Sequence, residues 1–247
     1  MVSLLSPTYP TLAIDFRGWG ASTGPSRADA YSISDLAGDV EQVIRQRVVG
    51  EFVLIGHSMG AKVAQLLAGT YDSQSSHAEA RLRAMVLVCP APPTPLVLPE
   101  DMKHQQIHAY DNAGSAEFVV RNVLTASKLD QHTVDALVLD MLQGNSHARA
   151  AWPAYAMVQD ILSDGWKVEI PSLVIAAEDD VVEPVERIRT GVVLRLKQAE
   201  FAIIKGSGHL LPVEAPQAAA ETMQQFLQTL EGPACSDSQP TSSGNSP

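Results

Sequence analysis

The sequence predicts an α/β protein with a mostly parallel central sheet that is flanked by helices. Two observations lead to this prediction. Short apolar runs of strand length alternate with amphipathic stretches of helical period, an order typical of parallel sheets. One long, purely helical stretch then interrupts the alternation before it resumes, which indicates a helical insertion within a single α/β domain. The length of 247 residues suits such a domain with a short tail.

The first predicted elements lie before residue 50. Residues 11–14 form a short apolar run that we interpret as a strand, and residues 15–22 form a glycine-punctuated loop after it. A helix is expected next, because Ser32 and Asp35 have the spacing of a capping box. The apolar face of that helix consists of Leu36, Val40, Val43 and Ile44.

The predicted fold is organised around the sequence Gly56-His57-Ser58-Met59-Gly60. An apolar strand, 52–55, precedes it, and apolar residues at helical spacing follow it. The order strand, tight turn, helix places Ser58 at the apex, the arrangement called a nucleophile elbow. We expect both glycines to supply the space that such a turn needs. The N–H of Met59 would then point to where an oxyanion develops.

Helices dominate the middle of the chain. A strand at 84–88 is followed by a proline-rich stretch that ends the alternation, and the pattern is helical from about Pro99 to about Trp166. We interpret this region as a cap over the carboxyl ends of the strands. Strands resume at 173–177 and 201–204, and Pro216 is expected to open the last helix.

The predicted organisation therefore has four parts. These are a first part of the α/β core at 1–95, a helical cap at 96–167, a second part of the core at 168–231 and a disordered tail at 232–247.

Composition excludes several function classes. The formal net charge of −11 argues against nucleic acid as a partner, because phosphate binding needs a basic surface. No apolar run approaches the length of a membrane span. Cys89 and Cys235 are interpreted as free thiols, and the N-terminus lacks the features of a signal peptide. We therefore expect a cytoplasmic protein; no pattern predicts its oligomeric state.

Two further polar loops follow predicted strands. Asp180 comes just after the strand at 173–177, and His209 comes just after the strand at 201–204. The carboxyl ends of parallel strands share one edge of a sheet, so these side chains and Ser58 are able to converge. A serine hydroxyl becomes a strong nucleophile when a histidine takes its proton, and the imidazole in turn needs a carboxylate to orient it.

These residues carry a family resemblance. The motifs G-H-S-M-G, D-F-R-G-W-G-A-S, E-D-D-V-V-E-P and G-S-G-H together resemble the α/β-hydrolase superfamily, in its capped branch with a serine nucleophile. The resemblance implies that Ser58 is the nucleophile, Asp180 the acid and His209 the general base. Asp180 is preferred to Asp179 and Glu178, because it is in register with the family pattern G-x-x-D-x-x-x-P, although Ala177 replaces the glycine.

Other candidate residues surround this constellation. Trp19 in the first loop and Trp152 in the cap are candidate substrate-binding residues, and for both the alternative is simple packing onto the core. The ring of His57 is expected to pack beside the elbow, since successive residues at a sharp turn point apart. The remaining histidines show no ligand spacing, so neither a metal nor another cofactor is predicted.

The predicted function is that of a serine hydrolase acting on a small-molecule ester or a related carbonyl compound. Perhydrolase, carbon–carbon hydrolase and acyl-transfer activities share the same three residues and remain open. Dehalogenation and epoxide opening are disfavoured, because the elbow holds serine rather than aspartate.

The family pattern also suggests a competing function. In the family, strands and a histidine-glycine loop that supplies a second oxyanion donor precede the loop at 15–22, and nothing before Thr11 resembles them. We therefore expect an N-terminally truncated copy of a hydrolase. The alternative function is that of a catalytically silent binding or vestigial protein.

Overall fold

The structure, a computed structural model, describes residues 1–71, 80–162 and 166–231. Its four strands form one parallel sheet in chain order: β1 (Gly50–His57), β2 (Ala80–Val88), β3 (Ser172–Ala177) and β4 (Ala199–Ile204). The predicted α/β fold class with a parallel sheet is confirmed.

Helices connect and cover the strands. The α-helices of the described residues are α1 (Val2–Leu5), α2 (Ile33–Arg47), α3 (Met59–Thr70), α4 (Glu100–His108), α5 (Ala113–Val119), α6 (Gln131–Gln143), α7 (Ser146–Ala151), α8 (Val185–Gly191), α9 (Leu211–Glu214) and α10 (Pro216–Glu231). Two π-helical turns, Val120–Leu124 and Trp152–Ala156, continue α5 and α7, and a 3₁₀ turn spans Val193–Arg195.

Helices cover both faces of the central strands, whose successive side chains point to opposite sides of the sheet. On one face, Val86 of β2 and Ile175 of β3 pack with Met223 of α10. On the other face, Met85 and Val174 pack with the side chains of α3 and α8. The apolar runs of β2 and β3 are therefore covered on both sides, as is typical of parallel sheets, whereas the edge strands β1 and β4 are partly exposed.

Helix α2 begins where the sequence predicts. The Ser32 hydroxyl accepts a hydrogen bond from the N–H of Asp35 at 3.0 Å, and the Asp35 carboxylate accepts one from the N–H of Ser32 at 3.0 Å. This capping box satisfies two donors at the start of the helix. The apolar face of α2 packs onto α3, where Val63 and Leu67 are buried with it.

The strand predicted at 11–14 is absent, and that prediction was wrong. Thr11, Leu12 and Ala13 are exposed, and the segment pairs with no strand. An isolated extended segment has no partner for its backbone hydrogen bonds, and composition cannot supply one. Within the described part of the chain, the outer edge of β1 is likewise unpaired.

Between β2 and β3, helical segments joined by short loops run from Glu100 to Ala156. Residues 157–162 are irregular, so the helical pattern predicted up to about Trp166 ends earlier than expected. Pro153 lacks an N–H, and the helix changes from α to π at that point. The assignment of 96–167 as a cap stays a prediction. Cys235 and the tail at 232–247 lie outside the described residues.

No helix in residues 1–71, 80–162 and 166–231 combines the length and apolar character that a membrane crossing requires.

Candidate active site

Ser58 sits at a sharp turn between β1 and α3. Its backbone has φ +52° and ψ −118°, a conformation that few side-chain-bearing residues adopt. A Cβ at Gly56 would lie 2.5 Å from the carbonyl oxygen of Gly60, so position 56 has no room for a side chain. A Cβ at Gly60 would meet only the Phe16 ring, at the ordinary contact distance of 3.7 Å. The structure thus requires the first glycine of the motif and not the second.

Three side chains from distant parts of the chain meet at this turn. Nε2 of His209 lies 2.7 Å from Oγ of Ser58, and Nδ1 of His209 lies 2.8 Å from Oδ2 of Asp180. Neighbouring strands are about 4.8 Å apart, so β1 and β4 are separated by roughly 14 Å. The loop after β4 spans this gap by folding back across the sheet edge, where the carbonyl of Ser207 accepts from the N–H of Asp179 at 3.0 Å.

The carboxylate of Asp180 is fixed in orientation. Its Oδ1 accepts hydrogen bonds from the N–H groups of Val182 and Glu183, at 2.8 and 2.9 Å, which leaves Oδ2 facing His209. Asp180 is buried, whereas its neighbours Asp179 and Glu178 are exposed. The geometry therefore places Asp180, and not the two alternatives, against the imidazole.

His57 contacts the same histidine from the other side. Its Nε2 lies 2.8 Å from the backbone carbonyl oxygen of His209. Because a carbonyl only accepts, Nε2 of His57 must carry the proton. Burial, followed by the nearby His209 ring, lowers the pKa of His57 to about 4, so this imidazole is neutral near pH 7. No local sequence pattern indicates this contact, because it joins residues far apart in the chain.

Cys89 lies close to His57, His209 and Asp180. It is fully buried directly after β2 with φ +42°. Burial and the nearby carboxylate of Asp180 raise the pKa of the thiol, so the sulfur keeps its proton. Donor atoms of Cys89, His57 and His209 lie within 4.8 Å of one another, and zinc uses such donors. Both imidazoles already have hydrogen-bond partners inside the protein and the thiol is protonated, so we assign these groups to the network around Ser58.

The backbone beside Ser58 offers a hydrogen-bond donor. Met59 is the first residue of α3, and within the described residues its N–H makes no hydrogen bond. The N-terminus of a helix favours negative charge, because its first N–H groups have no partner within the helix. The Met59 N–H is thus available to an oxygen that develops charge next to Ser58.

The two tryptophans pack against other aromatic and apolar groups. Trp19 meets Tyr110 edge to face, with ring centroids 5.7 Å apart, and its ring closes over Gly144. Trp152 packs on the apolar cluster of α2 and α3 to which Met59 also belongs. These contacts agree with the alternative that both tryptophans pack onto the core. A role in substrate binding stays a prediction for Trp19 and Trp152.

Polar side chains of the loop at 15–22 hold it in place through hydrogen bonds within the loop and to residues outside it. Arg17 donates to the Asp39 carboxylate of α2 from Nε and Nη2, at 2.5 and 2.6 Å, and to the carbonyl oxygen of Ala30. Asp15 accepts from the N–H of Ala21 at 2.9 Å. A cavity of about 660 Å³ lies between this loop and α2, and its lining does not include Ser58, Asp180 or His209.

Lys62 lies one turn after Ser58 on α3 and is fully buried. Its Nζ donates to the carbonyl oxygens of Thr94 and Met157, at 3.1 Å each, and so joins α3 to the chain before α4 and after α7. Burial lowers its pKa to about 8, and the carboxylate of Asp160 opposes this shift. A lysine on a helix usually indicates an exposed face, so sequence reasoning missed this role.

Glu183 is buried beside Asp180, with 1% of its surface exposed. Burial raises its pKa to about 8; Arg187, whose Nη1 is 3.4 Å from Oε2, opposes the shift, and Asp180 adds to it. At neutral pH Glu183 is therefore protonated in the folded protein, which avoids a second buried negative charge next to Asp180.

Replacement of Glu183 with glutamine tests this protonation state. An unfolded chain releases the proton near pH 4.5, whereas the folded protein holds it to about pH 8, so the contribution of Glu183 to wild-type stability falls as the pH rises between these values. The difference in the free energy of unfolding between Glu183→Gln and wild type should therefore change in favour of the variant by about 4 kcal/mol across this pH window. Urea denaturation at both ends of the window measures it.

Glu186→Gln is the matched control for this experiment, because Glu186 lies three residues after Glu183, in the first turn of α8, with its side chain exposed. Its stability should follow that of wild type at both pH values. Parallel stability curves for wild type and Glu183→Gln would contradict a protonated Glu183.

Comparisons with known proteins agree with this architecture. A family model described as the alpha/beta hydrolase family matches residues 1–222. The chain is 25% identical over 215 residues to a non-heme chloroperoxidase of Kitasatospora aureofaciens, an alignment that covers 81% of this chain and 75% of that protein. A shorter segment of 69 residues is 36% identical to epoxide hydrolase 3 of Xenopus tropicalis and covers 28% of this chain and 19% of that protein.

Solved structures show the same fold. An esterase from Exiguobacterium antarcticum superposes with a TM-score of 0.74 at 19% identity, over 87% of this chain and 80% of that one. A bromoperoxidase from Bacillus anthracis superposes with a TM-score of 0.72 at 17% identity, again over 87% of this chain and 80% of the other. With the family model covering nearly the whole chain, this protein belongs to the α/β-hydrolase family.

Proposed function

We propose that this protein is a serine hydrolase that cleaves small-molecule esters or related carbonyl compounds. The observation that carries the proposal is the unbroken chain of contacts from Ser58 Oγ through the His209 ring to the Asp180 carboxylate, with distances of 2.7 and 2.8 Å. These are the distances at which a base takes a proton from a nucleophile and an acid orients the base.

The proposed reaction begins with the transfer of the Ser58 proton to Nε2 of His209 as Oγ attacks the carbonyl carbon. The Met59 N–H donates to the resulting oxyanion. His209 then returns the proton to the leaving alcohol, which leaves an acyl group on Ser58. Water attacks this acyl-enzyme with His209 again as base, and the carboxylic acid and the free serine are released. Asp180 holds the ring in the tautomer that this cycle needs.

The substrate class follows from where these residues lie. They line the carboxyl edge of the sheet, next to the helical region at 96–167 that we propose as a cap. A small molecule enclosed between the two, rather than a polymer, is the proposed partner. We also propose that the protein is cytoplasmic and does not bind nucleic acid.

Perhydrolysis is a second candidate, which the likeness to a non-heme chloroperoxidase favours. In that reaction the acyl group on Ser58 passes to hydrogen peroxide instead of water, so a peracid is released. The same three residues serve both reactions. Peracid formation from acetate esters in the presence of hydrogen peroxide distinguishes this activity from simple hydrolysis.

Labelling with a fluorophosphonate probe tests the proposed nucleophile. The probe forms a stable bond with an activated serine oxygen, so wild-type protein should be labelled while Ser58→Ala should not. Mass spectrometry of the labelled peptide identifies the modified residue. A control is Ser22→Ala, which removes a hydroxyl that donates to the Asp15 carbonyl oxygen and should leave labelling unchanged.

The alternative, a catalytically silent binding protein, gives the opposite result. Folded wild-type protein, verified by circular dichroism, would then stay unlabelled. Labelling at a residue other than Ser58 would also contradict the proposed mechanism.

A further inference from the structure

The short peptide that carries His209 is held at three points. The N–H of Gly208 donates to Oε2 of Glu214 at 2.8 Å. The carbonyl oxygen of His209 accepts from His57 at 2.8 Å, and the N–H of Leu210 donates to the carbonyl oxygen of Leu124 at 2.8 Å. Three backbone groups around the imidazole therefore have a fixed partner, and all three partners lie outside the loop after β4.

Glu214 also binds a loop that comes from the predicted cap. Its Oε1 accepts from the N–H groups of Ala126 and Ser127, at 2.8 and 2.7 Å, and from the Ser127 hydroxyl at 2.9 Å. This loop lies between the π-helical turn that follows α5 and the start of α6. One carboxylate thus joins the peptide of His209 to the cap loop through four hydrogen bonds.

The two segments that Glu214 joins are in direct contact. A Cβ at Gly208 would lie 2.7 Å from the backbone nitrogen of Ala126, so only glycine allows this approach. Glu214 itself is positioned by α9, where its N–H donates to the carbonyl oxygen of Leu210 at 3.1 Å. Hydrogen bonds from backbone N–H groups to a carboxylate are stronger than those between neutral groups. The carboxylate is therefore well placed to fix both segments relative to α9.

We propose that Glu214 is a positioning residue that sets the place of the His209 imidazole and makes it depend on the docking of the cap loop 124–127. The proposal rests on the proposed function, in which His209 is the base. Displacement of the cap loop moves Glu214, which holds the N–H of Gly208, and it moves Leu210 through the hydrogen bond to Leu124. Gly208 and Leu210 are the two chain neighbours of His209, so both movements shift the imidazole. Seating of the cap would thus complete the catalytic geometry as well as cover the substrate.

The variant Glu214→Gln tests this role. An amide has one acceptor oxygen, so its NH₂ group must face either the Gly208 N–H or the two N–H groups of the cap loop. A displacement of about 1 Å at a catalytic group costs about 10²-fold in rate. We therefore expect kcat to fall by about 10- to 100-fold with little change in KM, and the rate of fluorophosphonate labelling to fall in parallel.

The matched control is Glu221→Gln, which removes the same charge from an exposed position on α10. It should behave as wild type. Ser127→Ala, which removes one of the three hydrogen bonds to Oε1, should slow labelling by a few-fold, about the worth of one hydrogen bond. It also serves as the test variant should Glu214→Gln fail to fold.

A spectroscopic readout separates positioning from simple stability and does not require activity. The proton between His209 Nδ1 and Asp180 gives a far-downfield proton NMR signal, which should shift or broaden in Glu214→Gln and stay unchanged in Glu221→Gln. Amide hydrogen exchange at residues 124–127 and 208–210 should also become faster in Glu214→Gln.

The two proposals fail in different ways. A wild-type protein that takes no label removes the proposed function, while the NMR signal and the exchange rates still decide whether Glu214 fixes His209. Wild-type labelling, an unchanged downfield signal and unchanged exchange in Glu214→Gln would overturn the role of Glu214 and leave the hydrolase proposal intact.

Discussion

Replacement of Asp180 with asparagine is expected to lower kcat about 10⁴-fold while leaving the fold intact. The N–H groups of Val182 and Glu183 both point at Oδ1, so the asparagine must place its oxygen there and its NH₂ group toward His209. Nδ1 of His209 then becomes the acceptor, and the ring proton moves to Nε2, which faces Ser58. An imidazole in that tautomer has no lone pair with which to take the serine proton.

The measurement is steady-state hydrolysis of a p-nitrophenyl ester, with circular dichroism as a check of folding. The control, Asp179→Asn, changes the exposed neighbouring carboxylate and should retain wild-type kcat. If the two variants lost activity equally, or if Asp180→Asn kept more than about a tenth of wild-type activity, His209 would not depend on Asp180 for its tautomer.

The variants Gly56→Ala and Gly60→Ala should differ sharply in stability, although the motif treats the two glycines alike. A Cβ at position 56 would lie 2.5 Å from the carbonyl oxygen of Gly60 and 2.7 Å from Cα of Ala61. These are backbone atoms of the elbow and cannot move aside as a side chain would. We expect Gly56→Ala to lose at least about 3 kcal/mol of stability, or to fail to fold.

The second variant is the control, because its new methyl group meets only the Phe16 ring at 3.7 Å. Position 60 lies within α3, where alanine is favoured over glycine by about 1 kcal/mol. Gly60→Ala should therefore be as stable as wild type or slightly more so in urea denaturation. Equal destabilisation by both substitutions would show that the elbow does not have this geometry.

Much of the fold could be predicted because its signals are local. A strand that is buried on both faces appears as a continuous apolar run, which located the central strands β2 and β3. The edge strands β1 and β4 were located by apolar runs of the same kind, although Ile55 and Ile203 within them are exposed. The capping pair Ser32 and Asp35 located the start of α2 in the same way. The meeting of Ser58, Asp180 and His209 also needed only a general rule, that parallel strands share their carboxyl edge.

What escaped prediction depends on contacts between distant segments. The apolar run at 11–14 has strand-like composition, yet no neighbouring strand is present to pair with it in the described structure. The buried role of Lys62 depends on carbonyl groups from two other segments. The four hydrogen bonds that Glu214 accepts likewise have no counterpart in local sequence.

The order of the strands links assembly of the site to the course of folding. Each strand pairs with its predecessor in the chain, with the nucleophile after the first and the imidazole after the last. Oγ of Ser58 and Nε2 of His209 can therefore approach only after all three strand pairings have formed. During refolding, reactivity of the serine should thus return with the final event, so a chemical probe of this one oxygen reports on completion of the whole sheet.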